Sequence, residues 1–157
     1  MPTVVLVGTL DTKGREYAYL AERVREHGAE VVLVDAGIVG EPLVTPDVSR
    51  EEVAAAVGAD VAELAAAGDR GAAVETMSRG AAEIVMGLHA DGRLDAIGGL
   101  GGSGGSALVT HAMRQLPIGV PKLMVSTVAS GDTSPYVGSV DVTMMYSVVD
   151  IAGVNEV

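Results

Sequence analysis

Short runs of apolar, mostly β-branched residues alternate along the chain with segments that repeat apolar residues at helical spacing. The pattern predicts strands over residues 3–7, 30–34, 95–98, 122–127 and 141–145. Strands separated by helices form a parallel sheet, because each crossover helix returns the chain to the same end of the sheet and covers a face. The predicted fold class is α/β: a Rossmann-like open sheet, mostly parallel, with helices on both faces.

Capping signals mark where several of the helices begin. Ser49 followed by Glu52 forms a capping box, which predicts a short helix directly after it. Asp69 is placed to cap a longer helix in which apolar residues recur at helical spacing. The Ala/Gly-rich residues 58–71 are expected to contain helical pieces, and residues 105–115 are predicted to form a further helix.

The composition is that of an ordered globular domain with a strong negative charge. Of the 157 residues, 48% are apolar, and we expect one domain spanning residues 1–157. Ten basic against 21 acidic residues give a net charge of −11, which repels nucleic acid. The chain has no cysteine, no basic leader segment and no apolar run of about 20 residues. We therefore expect a cytoplasmic protein that binds neither nucleic acid nor membrane.

The stretch GGLGGSGGS, residues 98–106, contains six glycines in nine positions. Glycine in an ordered element costs about 0.5–1 kcal/mol relative to alanine, so the run needs a physical reason. A flexible linker does not fit, because a predicted strand precedes the run and an apolar helix follows it at once. Two interpretations remain: a purely structural glycine turn between strand and helix, or a backbone that a ligand approaches closely.

Three segments of unusual composition follow the first, third and fourth predicted strands: residues 8–14, 99–106 and 126–138. Because the carboxyl ends of parallel strands share one edge of the sheet, we expect these segments to form loops that meet there. Glycine amides before a helix suit a phosphate, a lysine adds positive charge, and carboxylates suit Mg²⁺ bound together with phosphate. The candidate residues for a nucleotide polyphosphate are Gly8, Thr9, Asp11, Thr12, Lys13, Gly101, Gly102, Ser103, Gly104, Gly105, Ser126, Thr127, Gly131, Asp132 and Thr133. Asp11 and Asp132 are the candidate Mg²⁺ ligands.

The motifs GTLDTKG, GLGGSGGS and VSTVASGDTSPYVG are followed by DVTMMYSVVDIAGVN, in an order typical of one known family. From Val4 to Asn155 the sequence resembles the N-terminal ATP-binding domain of the tomato mosaic virus resistance protein family and its uncharacterised bacterial and fungal relatives. The resemblance implies an α/β, Rossmann-like domain that binds ATP, with Mg²⁺ as the accompanying ion. Members of that family continue into a second, barrel-like domain. The resemblance therefore implies that a missing second domain or a separate subunit completes this chain.

Two classes of function stay open from the sequence. One is an ATP-dependent enzyme in which this domain holds the nucleotide and another domain supplies the substrate. The other is a non-catalytic nucleotide-sensing or protein-interaction module. We expect ATP binding without rapid turnover, because the three loops contain no histidine and both aspartates are better used on the metal. The apolar segment YSVVDIAGVNEV, residues 146–157, predicts a homo-oligomer, most simply a dimer.

Overall fold

The chain forms five strands and six helices within residues 1–150 and 153–156, the part that a computed structural model describes. The strands are β1 (Thr3–Gly8), β2 (Glu30–Asp35), β3 (Ala96–Gly101), β4 (Lys122–Ser126) and β5 (Thr143–Tyr146). The helices are α1 (Leu10–Glu26), α2 (Arg50–Ala55), α3 (Val61–Ala67), α4 (Arg70–Ala90), α5 (Ser103–Met113) and α6 (Ser134–Val137). Among the described residues, no helix is both long enough and apolar enough to cross a membrane.

All five strands join one parallel sheet in the order β2–β1–β3–β4–β5. The predicted α/β class is confirmed, and every strand pair in the described sheet is parallel. From β1 the chain moves outward to β2, whereas from β3 it moves in the opposite direction to β4 and β5. This reversal is the topological switch point of a doubly wound sheet, and ligands of such folds bind in the crevice at the carboxyl ends of the two strands. The crevice here lies between the ends of β1 and β3.

Helices cover both faces of the sheet, as the sequence predicts, but they cover them unequally. Helices α2, α4 and α5 enclose the main core, where the strands contribute the buried side chains of Val5, Val7, Val34, Ile97 and Met124. Helix α1 lies on the opposite face, and the smaller core beneath it consists of Leu6, Leu10, Tyr17, Ala21 and Leu33. Because α1 packs on β1 and β2, it leaves the same face of β4 and β5 without a helix among the described residues.

The predicted capping signals are confirmed. The Ser49 hydroxyl accepts the backbone N–H of Glu52 at 3.2 Å, and the Glu52 carboxylate accepts the N–H of Ser49 at 2.8 Å. Asp69 accepts the N–H of Ala72 at 3.0 Å and begins α4. The reciprocal bonds of Ser49 and Glu52 and the single bond to Asp69 satisfy N–H groups that have no partner within the helices themselves. Helix α3 is the helical piece expected within residues 58–71.

The prediction of a loop over residues 8–14 is wrong. Gly8 ends β1, and α1 begins two residues later at Leu10, so the turn between them is a single residue. The reason is tertiary, because the Asp35 carboxylate accepts the N–H of Leu10 at 3.1 Å and satisfies the helix start from β2. Lys13 departs from helical geometry, with φ −120° and ψ 15°, so the first turn of α1 is irregular.

The turn within the glycine run is also shorter than the sequence predicts. Strand β3 continues through Gly101 and α5 begins at Ser103, which leaves one intervening residue. Tight packing explains why the strand tolerates glycine. A Cβ added at Gly99 would lie 2.6 Å from Cγ1 of Val109, and one added at Gly98 would lie 3.1 Å from Cδ2 of Leu6. These two glycines let α5 and the Leu6 side chain approach the backbone of the sheet.

The apolar segment 146–157 is described in part. Residues 151, 152 and 157 lie outside the described residues. The backbone N–H of Gly153 donates to Oε1 of Glu16 at 2.7 Å, so this segment returns to α1 after β5. Val148 and Val154 are exposed. The oligomer expected from this segment stays a prediction.

The hydroxyl of Tyr17 lies between β1 and β3 where the two strands separate. Their pairing joins residues 4–6 to residues 96–98. Beyond it, the Tyr17 hydroxyl donates to the carbonyl of Val7 at 2.5 Å and accepts the N–H of Leu100 at 2.9 Å. Burial raises the pKa of Tyr17, so the hydroxyl keeps its proton. One side chain therefore satisfies backbone groups of both strands next to the crevice.

We expect Tyr17→Phe to lower the free energy of unfolding by about 1–3 kcal/mol, because the buried Leu100 N–H loses its acceptor. Tyr19→Phe is the matched control on the same helix: its side chain is exposed, and the change should stay within about 0.5 kcal/mol. Urea unfolding followed by circular dichroism measures both. Equal midpoints for the two variants would contradict the assigned role of the Tyr17 hydroxyl.

Candidate functional site

Parts of all three predicted segments meet at the carboxyl edge of the sheet. Gly101 and Ser126 are paired at the ends of β3 and β4, and the N–H of Thr127 donates to the carbonyl of Gly101 at 3.2 Å. Lys13, Gly101 and Thr127 line one cavity of about 310 Å³ on the α1 side of the crevice. The structure therefore brings at least one residue from each segment to a common wall.

The glycines at the start of α5 are not required by the fold. None of the glycines from Gly98 to Gly105 has a positive φ, so no left-handed backbone excludes a side chain. An added Cβ would meet nothing within 4 Å at Gly104, and would lie 3.6 Å from Oγ1 of Thr127 at Gly102 and 3.8 Å from the Leu100 carbonyl at Gly105. These are ordinary distances or open space, which contrasts with the close packing at Gly98 and Gly99. Close packing therefore does not explain glycine at these three positions.

The first turn of α5 presents backbone donors to this space. Among the described residues, no side chain caps the helix at Gly102. The first amide of the turn to bond within the helix is that of Ser106, which donates to the Gly102 carbonyl at 2.9 Å. The amides before it cannot find partners inside the helix, and the positive end of the helix dipole lies at the same point. Ser103 and Gly104 are exposed, so an anion can reach these donors from solvent.

Some hydroxyl groups of the candidate residues are hydrogen-bonded within the fold, and others have no such bond among the described residues. Ser126 is buried, its Oγ lies 2.5 Å from Oγ of Ser106, and it accepts the N–H of Val128. Its role is therefore structural. Thr9 and Thr12 contact each other through their hydroxyls at 2.8 Å in the turn into α1. Ser103 and Thr127 are the hydroxyls placed at the glycine turn and the cavity.

The two candidate metal ligands have different surroundings. Asp11 contacts the segment after β2, where its Oδ2 accepts the N–H groups of Val39 and Gly40, each at 3.2 Å. Its Oδ1 is buried without a hydrogen-bond partner among the described residues. Binding a metal ion through Asp11 would therefore require this segment to move.

Asp132 is the more accessible carboxylate. It is exposed, and its Oδ1 accepts both the hydroxyl and the N–H of Ser134 at 2.7 and 3.0 Å. These bonds hold the pKa of Asp132 below its usual value, so the group is ionised at neutral pH. Its neighbours Gly131 and Thr133 belong to the same turn, which leads into α6. Asp132 fits a Mg²⁺ ligand better than Asp11 does.

No group of three or more His, Cys, Asp or Glu side chains is arranged to hold a metal ion within residues 1–150 and 153–156. Mg²⁺ is commonly held by one or two carboxylates together with phosphate oxygens and water.

Lys13 supplies the positive charge of the cavity. Its Nζ lies 3.9 Å from Oε1 of Glu16, and the Glu16 oxygen also accepts the N–H of Gly153. The ion pair is loose and partly exposed, so Lys13 can reorient toward an incoming anion at little cost.

A second cavity, of about 520 Å³, lies between residues 36–49 and the helices α2 and α3. Asp35 and Arg50 are among its polar lining residues. Asp35 is 1% exposed, its Oδ2 accepts Nε of Arg50 at 2.8 Å, and its Oδ1 accepts the N–H groups of Leu10 and Gly37. The sequence interpretation missed both residues, although Asp35 directly follows the second strand-like run. Arg50 carries no signal in the sequence that would pair it with Asp35.

The fold and the glycine-lined crevice define the class: a doubly wound α/β domain with its candidate site at the switch point of the sheet. The chain belongs to the uncharacterised protein family UPF0261, whose N-terminal domain matches residues 2–157. The family resemblance predicted from the three motifs is confirmed, whereas ATP binding stays a prediction.

Relatives occur in bacteria and in a plant. The UPF0261 protein of Clostridium tetani is 46% identical over 152 residues, which cover 97% of this chain and 38% of that protein. A UPF0261 protein of Rhizobium meliloti is 45% identical over 157 residues, covering 100% of this chain and 38% of that protein. The ToMV resistance protein Tm-1(GCR237) of Solanum lycopersicum is 35% identical over 171 residues, covering 99% and 23%. The chain thus spans less than two fifths of the length of these relatives.

Proposed function

We propose that this domain binds ATP together with Mg²⁺, with the triphosphate at the N-terminus of α5. The observation that carries the proposal is that close packing does not require glycine at Gly102, Gly104 and Gly105: among the described residues an added Cβ would meet nothing within 4 Å at Gly104 and would make only ordinary van der Waals contacts at the other two. Neither backbone conformation nor packing inside the described chain accounts for glycine at these positions, whereas a phosphate lying against the amides does. The resemblance of the three motifs to an ATP-binding family supports ATP as the nucleotide.

Each group around the crevice has a role that its chemistry allows. The first-turn amides of α5 would donate to phosphate oxygens, and the hydroxyls of Ser103 and Thr127 would add further donors. Lys13 would contribute positive charge from the α1 side of the cavity. Asp132, ionised and exposed, would bind Mg²⁺ together with the phosphates. The metal ion offsets the repulsion between a triphosphate and a chain of net charge −11.

The state of Asp35 supports a mononucleotide over a dinucleotide of the NAD type. In dinucleotide-binding domains, an acidic side chain near the end of the second strand accepts the ribose hydroxyls. Asp35 ends β2, but Arg50 and the N–H groups of Leu10 and Gly37 already occupy both of its oxygens. It has no free oxygen for the ribose contact that dinucleotide-binding domains use, so a ribose of any nucleotide would lie elsewhere and the NAD-type binding mode is disfavoured. We expect NAD to bind much more weakly than ATP.

We expect ATP with Mg²⁺, at about 100 times its dissociation constant, to stabilise the fold by about 2.7 kcal/mol, or roughly 5–10 °C in melting temperature. Gly104→Val should remove this shift, because a side chain there would occupy the space proposed for phosphate, and its Cβ would meet nothing within 4 Å among the described residues. A thermal melt with and without the nucleotide measures both effects.

Gly87→Val is the matched control, since Gly87 is also a helical glycine whose added Cβ would meet nothing within 4 Å. The Gly87→Val protein should keep the full increase in melting temperature on adding nucleotide. The comparison therefore separates the cost of placing valine in a helix from the loss of the phosphate site. A Gly104→Val protein that melts cooperatively and still binds ATP with unchanged affinity would reject the proposed location. An unmodified protein that shows no shift with any nucleotide would reject ATP binding itself.

A further inference from the structure

An apolar strip lies on the α1 side of the sheet, where no helix covers β4 and β5 among the described residues. Leu123 is 44% exposed and Met145 is 53% exposed, and Leu100 and Val125 on the same face are partly buried. The register places Leu100 beside Val125 and Val125 beside Met145, so these side chains form a continuous row across three strands. We name Leu100, Leu123, Val125 and Met145 the uncovered strip.

The uncovered strip contrasts with the opposite face of the same strands. Met124 lies between Leu123 and Val125 in the sequence, points to the other side and is fully buried in the main core. Parallel sheets of α/β proteins normally have both faces covered, because their strands are apolar on both sides. An apolar row in which Leu123 and Met145 are exposed and their neighbours are only partly buried is characteristic of an interaction surface.

The path of the chain after β5 points to what covers this strip. The cavity that Leu100 and Val125 line is also lined by residues from the segment after β5: Ser147, Val149, Asp150, Gly153, Val154 and Asn155. The Gly153 N–H is hydrogen-bonded to Glu16 on α1. Polypeptide that follows β5 is therefore directed across the α1 side of the sheet. The bacterial relatives contain more than half of their length beyond the matched region, and this extra polypeptide would enter on the side of the uncovered strip.

We propose that the uncovered strip is the docking surface for the domain that follows the matched region in the longer family proteins, joined in one chain or present as a separate subunit. A second copy of this chain fits less well, because each copy carries a net charge of −11. The strip is continuous with the cavity that Lys13 and Thr127 line. The docked domain would therefore close the candidate site from the α1 side.

Oxidation of Met145 by hydrogen peroxide tests the proposal, because methionine oxidation follows exposure. The two proteins compared are this chain and a fusion of residues 1–157 to the part of the Clostridium tetani protein that follows the matched region. Oxidation of Met145 should be about tenfold slower in the fusion, whereas the exposed Met1 should react at the same rate in both. If the fusion is insoluble, the two parts are co-expressed as separate chains and compared in the same way.

Leu123→Glu in the fusion should restore rapid oxidation of Met145, because a buried carboxylate opposes docking. Ile118→Glu, an equally drastic change at an exposed position outside the strip, should not. Equal rates of Met145 oxidation in this chain and in the fusion would overturn the proposal. So would slow oxidation in this chain alone accompanied by a dimer in sedimentation, since a second copy would then cover the strip. Neither result depends on whether the domain binds ATP.

Discussion

Replacing Arg50 with methionine is expected to lower the free energy of unfolding by about 3–5 kcal/mol. The guanidinium donates from Nε to Oδ2 of Asp35 at 2.8 Å, and Nη2 lies 2.8 Å from the same oxygen as an ion-pair contact. The two side chains are 8% and 1% exposed. Removing one partner of a buried pair leaves the other charge in a medium that cannot solvate it. Arg50 also donates to the carbonyl of Gly40 at 2.5 Å, so the segment after β2 loses an anchor as well.

Arg23→Met is the matched control, because Arg23 forms an ion pair with Glu26 at 2.7 Å that is largely exposed to solvent. Exposed pairs of this kind contribute about 0–1 kcal/mol. Guanidinium unfolding of both variants gives the comparison directly. If Arg50→Met and Arg23→Met unfold at the same midpoint, the Asp35–Arg50 pair is not a central support of the fold.

The predictable part of the fold depends on signals that are local in the sequence. The apolar periodicity identifies all five strands and the long helices, since each pattern is complete within one element. The capping box of Ser49 and Glu52 identifies the start of α2 because its two partners are three residues apart. The fold class follows from the alternation of these elements, and the structure confirms it.

The boundaries that the sequence misses are determined by residues far away in the chain. Helix α1 begins at Leu10 because Asp35, 25 residues later, accepts its N–H. Strand β3 continues through the glycine run because Val109 of α5 packs against Gly99. Glycine itself has low strand propensity, so a local pattern predicts a turn at this point. Only the assembled sheet shows which glycines are packed and which are open.

Some features of the candidate site could likewise be predicted from the sequence, and others could not. Residues near the strand ends, such as Lys13, Gly101 and Thr127, could be predicted to meet because parallel strands share a carboxyl edge. The different surroundings of Asp11 and Asp132 could not, because the partners of Asp11 lie in the segment after β2. The methionines of β4 and β5 show most clearly what the sequence cannot predict. Methionine commonly fills protein cores, yet Met124 is buried and Met145 is exposed, because no helix of the described part of the chain covers that face of the edge strand.

Two glycines of α4 provide a sharp test of the assembled packing, since the sequence gives no means of distinguishing them. A Cβ at Gly80 would lie 2.1 Å from the backbone carbonyl oxygen of Val53 in α2, whereas a Cβ at Gly87 would meet nothing within 4 Å. Neither glycine has a positive φ, so backbone conformation does not separate them. The packing alone gives the two positions opposite expected responses to the same substitution.

Gly80→Ala should lower the free energy of unfolding by about 3 kcal/mol or more, because a backbone oxygen cannot rotate away and α2 must shift from α4. Gly87→Ala should raise it by as much as about 1 kcal/mol, because alanine is the better helix former and nothing opposes its methyl group. Both variants add the same atoms to the same helix, so helix propensity contributes equally and the difference between their unfolding midpoints isolates the α2–α4 contact. Stabilisation of both variants would show that α2 does not lie against Gly80. Since α2 carries Arg50, the position of the buried ion pair would then be wrong as well.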